Sequence, residues 1–143
     1  MQVTSITDGI IIDHVPAGHA LKALKLLGID PRHTRLALIM NTDSHTLGTK
    51  DIVKIESEIE IDLNVLALVA PGATVNIVRN GSIVSKTTPQ LPEHVTNVIT
   101  CVNPRCVTTV ERGLKQQFHM VRSHDDERGV QYRCDYCDEE AQL

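Results

Sequence analysis

The sequence predicts an α+β chain in two parts: an N-terminal antiparallel sheet with two helices on one face, then a small all-β domain. Three observations carry this. Up to about residue 90, short apolar runs of strand period alternate with runs of helix period. All four cysteines and all three aromatic residues come after residue 100. Between the halves, Thr87-Thr88-Pro89-Gln90-Leu91-Pro92-Glu93 carries two prolines, which exclude regular helix and central strand. Residues 1–92 and 93–143 are therefore expected as separate domains. The second, at roughly 50 residues, is too small to stand on core burial alone and calls for a staple such as a metal.

Each element has a local reason. Val3–Val15 reads as a strand, with the β-branched run Ile10-Ile11-Ile12 inside it. Pro16 suits the first turn of a helix. Ala17, Ala20, Leu21, Leu24 and Leu27 follow at helical spacing until Gly28 stops them. Thr34–Asn41 is a second strand, residues 42–48 are turn-forming, and Lys50–Glu56 is a third strand. Asp62 is a good N-cap for a short helix over 63–70, which Pro71-Gly72 ends. Thr74–Arg79 and Ser82–Thr87 flank Asn80-Gly81, a pair that tolerates positive φ at both turn positions and signals a two-residue hairpin. The order approximates the ferredoxin-like split βαβ plan with one extra strand.

Composition narrows the function classes. Hydrophobic residues make up 41% and charged residues 22%, values of a globular chain and not of a disordered one. A formal net charge of −4 argues against general polyanion binding. Phe118, Tyr132 and Tyr136 are the only aromatics, so residues 1–117 hold no base-stacking platform for single-stranded nucleic acid. The start, MQVTSITDG, reads as neither a leader nor an anchor. No run approaches the roughly 18 apolar residues of a membrane helix. The cytoplasm is the expected compartment. No phosphate-loop motif, H-E-x-x-H or nucleophile–base triad stands out, which makes an enzyme the least supported class.

The cysteines are spaced C-x4-C, then 27 residues, then C-x2-C: Cys101, Cys106, Cys134 and Cys137. Two short loops that each bring two sulfurs together can close a tetrahedral sphere around zinc or a similar soft ion, with no position left for water. Such a metal is structural. Four free or disulfide-linked cysteines are the alternative. A redox role for Cys134-Asp135-Tyr136-Cys137 is a second one, but thioredoxin-like sites open a helix, and this motif follows the strand-like Val130-Gln131-Tyr132-Arg133. A zinc ribbon can also bind nucleic acid. Here Arg105, Arg112, Lys115, Arg122, Arg128 and Arg133 are six positive charges against nine carboxylates after residue 92, so counterion release would be weak. A protein-binding zinc module is favoured.

In the first half, Asp13-His14 follows the apolar run and reads first as a polar pair at a strand end. Lys50, Lys54 and Lys86 each read first as solvated lysines. Together with His14 they could form a cationic pocket for phosphates, with Lys54 and Lys86 on neighbouring strand ends.

Longer strings add a resemblance. Ile12-Asp13-His14-Val15-Pro16-Ala17-Gly18 resembles an I-D-H-[IV]-P-A-G signature. Residues 48–56 (GTKDIVKIE) resemble G-x-K-D-[LI]-[IV]-K-[IV]-E, and residues 70–76 (APGATVN) resemble A-P-x-A-T-V-N. Leu91-Pro92-Glu93 and the four cysteines follow in the same order. These motifs jointly resemble the family of aspartate carbamoyltransferase regulatory chains, nearly end to end. The resemblance implies a non-catalytic subunit of pyrimidine biosynthesis. Its N-terminal allosteric domain would bind the nucleoside triphosphates CTP and ATP at one site. Its C-terminal domain would hold one structural Zn2+ per chain and dock on the catalytic chain. Regulatory homodimers would join catalytic trimers into an assembly of six regulatory and six catalytic chains, with no nucleic acid and no membrane involved.

Residue by residue, the resemblance implies that Asp13 and His14 lie near ribose and phosphates, that Lys54 contacts the ribose, and that Lys86 is the main triphosphate lysine. Val3 and Ile6 would supply contacts from the N-terminal strand. Asn76, Val78 and Ile83 would line the pocket around ribose and base. Cys101, Cys106, Cys134 and Cys137 would be the zinc ligands. Two other classes remain open from the residues alone: a stand-alone nucleotide-sensing module, and a zinc-ribbon nucleic-acid-binding protein.

Overall fold

The computed structural model describes residues 5–46, 48–125 and 129–142. The chain divides into two compact units, Met1–Leu91 and Pro92–Leu143, each with its own antiparallel sheet. Among the described residues, no helix is long and apolar enough to cross a membrane.

The first unit runs β1 (Gly9–Pro16), α1 (Ala20–Leu26), β2 (Leu36–Ser44), β3 (Gly48–Ile55), α2 (Leu63–Val69), β4 (Thr74–Arg79) and β5 (Ser82–Thr87). Its five strands lie in the order β2-β3-β1-β4-β5, and every neighbouring pair is antiparallel. This is the expected α+β plan, with β5 as the added edge strand. Register explains which face is buried. Ile10 and Ile12 of β1 stand opposite Ile55 and Val53 of β3, and Ile12 also faces Val75 of β4. Those five side chains pack with Ala20, Ala23 and Leu24 of α1 and Leu66 and Val69 of α2. Each Val, Leu or Ile side chain of this set taken out of water stabilises by about 1.5–3 kcal/mol. The other sheet face carries Ile11, Lys54 and Asn76, one residue out of phase.

Several expected boundaries shift, each for a physical reason. The first strand starts at Gly9, not Val3: residues 5–8 are described and are not strand, and residues 1–4 lie outside the described residues. Pro16 does not open α1. It ends β1, paired with Lys50, and the helix begins at Ala20. The helix start is held instead by Asp51 of β3, whose Oδ2 accepts the N–H of Gly18 at 2.9 Å and of Ala20 at 3.0 Å. The hairpin of β2 and β3 runs longer than expected. A bulge at Asn41, with φ of 57°, lets pairing resume as Thr42↔Lys50, Asp43↔Thr49 and Ser44↔Gly48. The first three residues of the expected turn are therefore strand. Two local expectations stand unchanged. Asp62 caps α2, accepting from Asn64 N and Val65 N at 3.0 and 3.2 Å. Asn80 and Gly81 link β4 to β5 with φ of 51° and 77°, the double positive φ that the Asn-Gly pair signalled.

Gly9 makes one tight approach possible. A Cβ there would lie 2.0 Å from the carbonyl oxygen of Ile55 on β3.

The second unit is a three-stranded sheet, β6 (His94–Thr96), β7 (Gln117–Arg122) and β8 (Val130–Cys134), in the order β6-β7-β8. A single turn of helix, α3 (Val107–Val110), starts directly after Cys106. Its small core gathers Val95, Ile99, Phe118 and Tyr132 with three of the four cysteines. The Tyr132 hydroxyl donates to the Pro92 carbonyl at 2.6 Å, which satisfies its polar end.

Candidate functional site

In the second unit, two loops deliver four sulfurs to one point. The first loop turns on Asn103. Its carbonyl accepts the N–H of Cys106 at 3.1 Å and its side chain accepts the N–H of Arg105 at 3.0 Å. The second loop leaves β8 at Cys134, whose carbonyl accepts the N–H of Asp138 at 2.9 Å. Cys101, Cys106, Cys134 and Cys137 then lie with all sulfurs within 4.8 Å of one another. Cys101–Cys137 and Cys106–Cys134 are 3.6 and 3.8 Å apart. A disulfide would need about 2.05 Å. A tetrahedral ion with metal–sulfur bonds of about 2.3 Å puts its sulfurs about 3.8 Å apart. The geometry therefore suits a bound metal ion and not disulfides. Cys134 ends an antiparallel strand and a turn follows it, so the helix start that a C-x-x-C redox site uses is absent at this motif.

The thiols also differ in acidity. Burial pushes the Cys101 thiol up to about 12, while the Thr108 hydroxyl, 3.1 Å from Cys106 Sγ, brings Cys106 down to about 7. Burial raises Cys134 as well. A metal ion must displace the remaining thiol protons to be held by four thiolates.

In the first unit, register brings most of the candidate residues to the open sheet face. Lys54 stands opposite Ile11, Ile11 opposite Asn76, and Asn76 opposite Lys86. These four residues form one row across β3, β1, β4 and β5. Lys54 and Lys86 are thus not on neighbouring strands. Two strands separate them, and three inter-strand steps put their backbones about 14 Å apart. Neither lysine has an ion-pair partner among the described residues, and the buried Oδ1 of Asn76 has no hydrogen-bond partner there.

Flanking rows complete the face. Toward one end, Asp13 pairs with Thr74. A bulge after Ile12 places His14 at φ of 57°, with its Nδ1 3.4 Å from Thr74 Oγ1. Asp13 Oδ1 accepts from Lys50 Nζ at 2.9 Å and from the His14 N–H at 2.6 Å. Partial burial works to raise the Asp13 pKa, but these two hydrogen bonds and the neighbouring positive charge outweigh it and hold the carboxyl below its ordinary value. Toward the other end, Val78 stands opposite Gly9 and Ile83. Ile83 is 59% exposed, unlike Val78 at 3%, so one apolar side chain of this pair is open to a ligand.

Ile6 is half-buried in the segment before β1. The next residue, Thr7, accepts the Gly81 N–H at 2.9 Å, which brings that segment to the hairpin tip. Val3 lies outside the described residues. Lys50 is the residue the sequence reading undervalued. It is only 16% exposed and fixes Asp13. Its signal was its place in the alternation of residues 48–56, on the same side as Lys54.

Comparison with known proteins covers both units. Residues 1–90 match the family described as aspartate carbamoyltransferase regulatory chain, allosteric domain. Residues 93–142 match the metal binding domain of the same family. The chain is 64% identical over 143 residues to the aspartate carbamoyltransferase regulatory chain of Bifidobacterium longum, covering 100% of both. It is 45% identical over 139 residues to that of Clostridium botulinum, covering 97% of this chain and 92% of the relative. For Clostridium tetani the figures are 42% over 140 residues, with 97% and 94% covered.

Proposed function

Because the chain belongs to the family of aspartate carbamoyltransferase regulatory chains, we propose that it senses nucleoside triphosphates and passes that signal to a catalytic chain. Residues 1–92 are the nucleotide-binding domain. Residues 93–143 are the zinc domain that contacts the catalytic chain. The protein itself carries no catalysis. It works in the cytoplasm as a homodimer within an assembly of six regulatory and six catalytic chains.

The observation that carries the nucleotide reading is the row Lys54–Ile11–Asn76–Lys86. Two lysines without an ion-pair partner among the described residues flank a buried amide oxygen that has no donor there. A polyanion with hydroxyl-bearing sugar answers both needs, because phosphate oxygens take charge-assisted hydrogen bonds and a sugar hydroxyl can donate to the amide. Lys86 then binds the triphosphate and Lys54 the ribose. Asp13 and His14 stand near ribose and phosphates, while Val78 and Ile83, with Val3 and Ile6, shape the apolar end for the base. CTP and ATP share this site. A nucleotide can shift the assembly only by binding its two states unequally.

Zn2+ fits the four thiolates in ligand type and spacing, and when bound it supplies structural cross-linking of two loops. Cys101, Cys106, Cys134 and Cys137 would hold it. Val102, Val107, Val110 and Tyr136 are exposed beside those loops and offer apolar surface for the catalytic chain.

Isothermal titration of the zinc-loaded protein with CTP and with ATP tests the site. Saturable binding is expected for both, each displacing the other. Lys86→Ala should weaken it about 10- to 100-fold, as loss of one charge-assisted contact implies. Absence of binding, or binding indifferent to both Lys54→Ala and Lys86→Ala, would refute the assignment. Sedimentation with catalytic trimers from the same source tests docking separately. A zinc-dependent large complex is expected, and a protein that stays free with zinc bound would leave the nucleotide domain serving another partner.

A further inference from the structure

Asn80 is the only asparagine in the sequence followed by glycine. Asn41, Asn64, Asn76, Asn97 and Asn103 precede Thr, Val, Ile, Val and Pro. The difference is chemical. The backbone nitrogen after an asparagine can attack that residue's own amide carbon. A β-branched neighbour crowds the attack, proline has no N–H to lose, and glycine obstructs nothing. Asn80 and Gly81 are also exposed, at the tip of the β4–β5 hairpin.

The structure nevertheless ties both reacting residues down. The Gly81 N–H, the would-be nucleophile, donates to the Thr7 carbonyl at 2.9 Å. The Asn80 N–H donates to Asp8 Oδ1 at 3.1 Å. Both residues hold positive φ, 51° and 77°. The segment leading into β1 thus clamps the turn through two adjacent hydrogen bonds.

We propose that Asn80 is a deamidation site of this protein and that Thr7 and Asp8 form the latch that sets its rate. In the reaction the Gly81 nitrogen gives up its proton and bonds to Asn80 Cγ, and the Asn80 Cγ–Nδ2 bond breaks to release ammonia. Water then adds to one carbonyl of the resulting five-membered imide and cleaves its bond to nitrogen. The product at position 80 is aspartyl or isoaspartyl. Either weakens the latch that slowed its formation. A new carboxylate stands beside that of Asp8, and the isoaspartyl form adds a carbon to a two-residue turn that has no room for one. The proposal stands independently of the nucleotide site.

The test uses the full metal-loaded protein, aged at mildly alkaline pH in water enriched in heavy oxygen. Peptide mass spectrometry reads label incorporated at each asparagine. The native protein, Asp8→Ser, Asp8→Ala and a free peptide covering residues 75–87 are compared. Label is expected first at position 80, fastest in the peptide and slowest in the native protein. Asp8→Ser keeps a side-chain oxygen that can accept the Asn80 N–H without creating a second Asn-Gly pair at Gly9, and should stay nearer the native rate than Asp8→Ala does. Asp8→Ala should react about fivefold faster at that position alone, the factor matching ~1 kcal/mol for one net hydrogen bond. A native protein as fast as the peptide, or Asp8→Ala at the native rate, would overturn the proposal. So would acceleration spread equally to Asn64 and Asn97, which would make Asp8 a determinant of the whole fold and no latch.

Discussion

Replacing Asp51 by alanine should loosen the first unit more than any other single polar substitution in its sheet. Asp51 is fully buried on β3 and serves three backbone donors: Gly18 and Ala20 at the start of α1, and Asn41 in the β2 bulge at 2.7 Å. Hydrogen bonds to a charged acceptor are each worth about 1.5–3 kcal/mol net. Only one of the three donors, Ala20 N, belongs to a buried residue. Gly18 and Asn41 are exposed, so their N–H groups can turn to water once freed. Removing the carboxylate also removes the penalty of burying it. The expected loss for Asp51→Ala is therefore about 3–4 kcal/mol, below the roughly 4.5–9 kcal/mol that three such bonds would sum to. Asp51→Asn keeps one oxygen but points an NH2 group at a third N–H. It should lose about 2 kcal/mol. Urea unfolding followed by far-UV circular dichroism reads both, since the first unit holds no aromatic residue to serve as a local probe. With a slope of about 1 kcal/mol/M for so small a unit, the alanine variant should shift the midpoint by about 3–4 M. Amide exchange at Ala20 and Asn41 should quicken in step. A shift below about 1 M with unchanged exchange at both amides would refute the claim that Asp51 holds the helix start.

Three further outcomes follow from the same structure. Gly9→Ala should cost at least about 3 kcal/mol, since its Cβ would sit 2.0 Å from the Ile55 carbonyl and β1 must move off β3; a urea midpoint equal to the native protein's would contradict this. The depressed Asp13 carboxyl contributes stability that is full above the ordinary carboxylate pKa of about 3.9 and fades as pH falls through its lower folded value. Lys50→Met should therefore flatten the acid limb of a stability–pH curve, and an unchanged limb would argue against the pair. Cys106→Ser, or removal of the metal with a chelator, should unfold the second unit, because in so small a module metal binding is part of folding. Loss of the Tyr132 near-UV signal reads it, and a retained signal with metal fully removed would show that the core stands alone.

The parts of this fold that were legible in the sequence are those decided by neighbours along the chain. Asn80-Gly81 dictates its hairpin, Asp62 its helix start, and two short cysteine loops their convergence. What escaped depends on partners far away in sequence. Pro16 has the right φ for a helix start, yet it ends a strand because Asp51, 35 residues on, supplies the cap. The bulges at His14 and Asn41 left only a faint trace, two residue types that tolerate positive φ. Asp51, in phase with Val53 and Ile55 along KDIVKIE, was a signal that could have been used, since a buried carboxylate needs donors. The candidate residues could be named from the family's motifs. Their arrangement as one row could not, because a one-residue slip in any of three pairings would send a lysine to the other face.

The bulge in β1 is where the two faces of the first unit meet. Asp13 and His14 belong to the open face, tied to Lys50 and Thr74. Val15, the next residue, is fully buried among the helix contacts and pairs with Asp51. Five residues after Val15, Ala20 begins α1 on the Asp51 carboxylate. A continuous stretch of eight residues thus runs from the open face, through the sheet, to the helix start, and each end is fixed by a carboxylate. A regular strand would have given alternate residues to the two faces with no slack between them. The bulge supplies that slack, and the positive φ at His14 is its signature. Strain of this kind persists only where surrounding contacts overdetermine it, and the hydrogen bonds of Asp13 and Asp51 are what overdetermine it here. Asp13 on the open face and the seat of α1 are therefore the two pinned ends of one short segment that crosses the sheet.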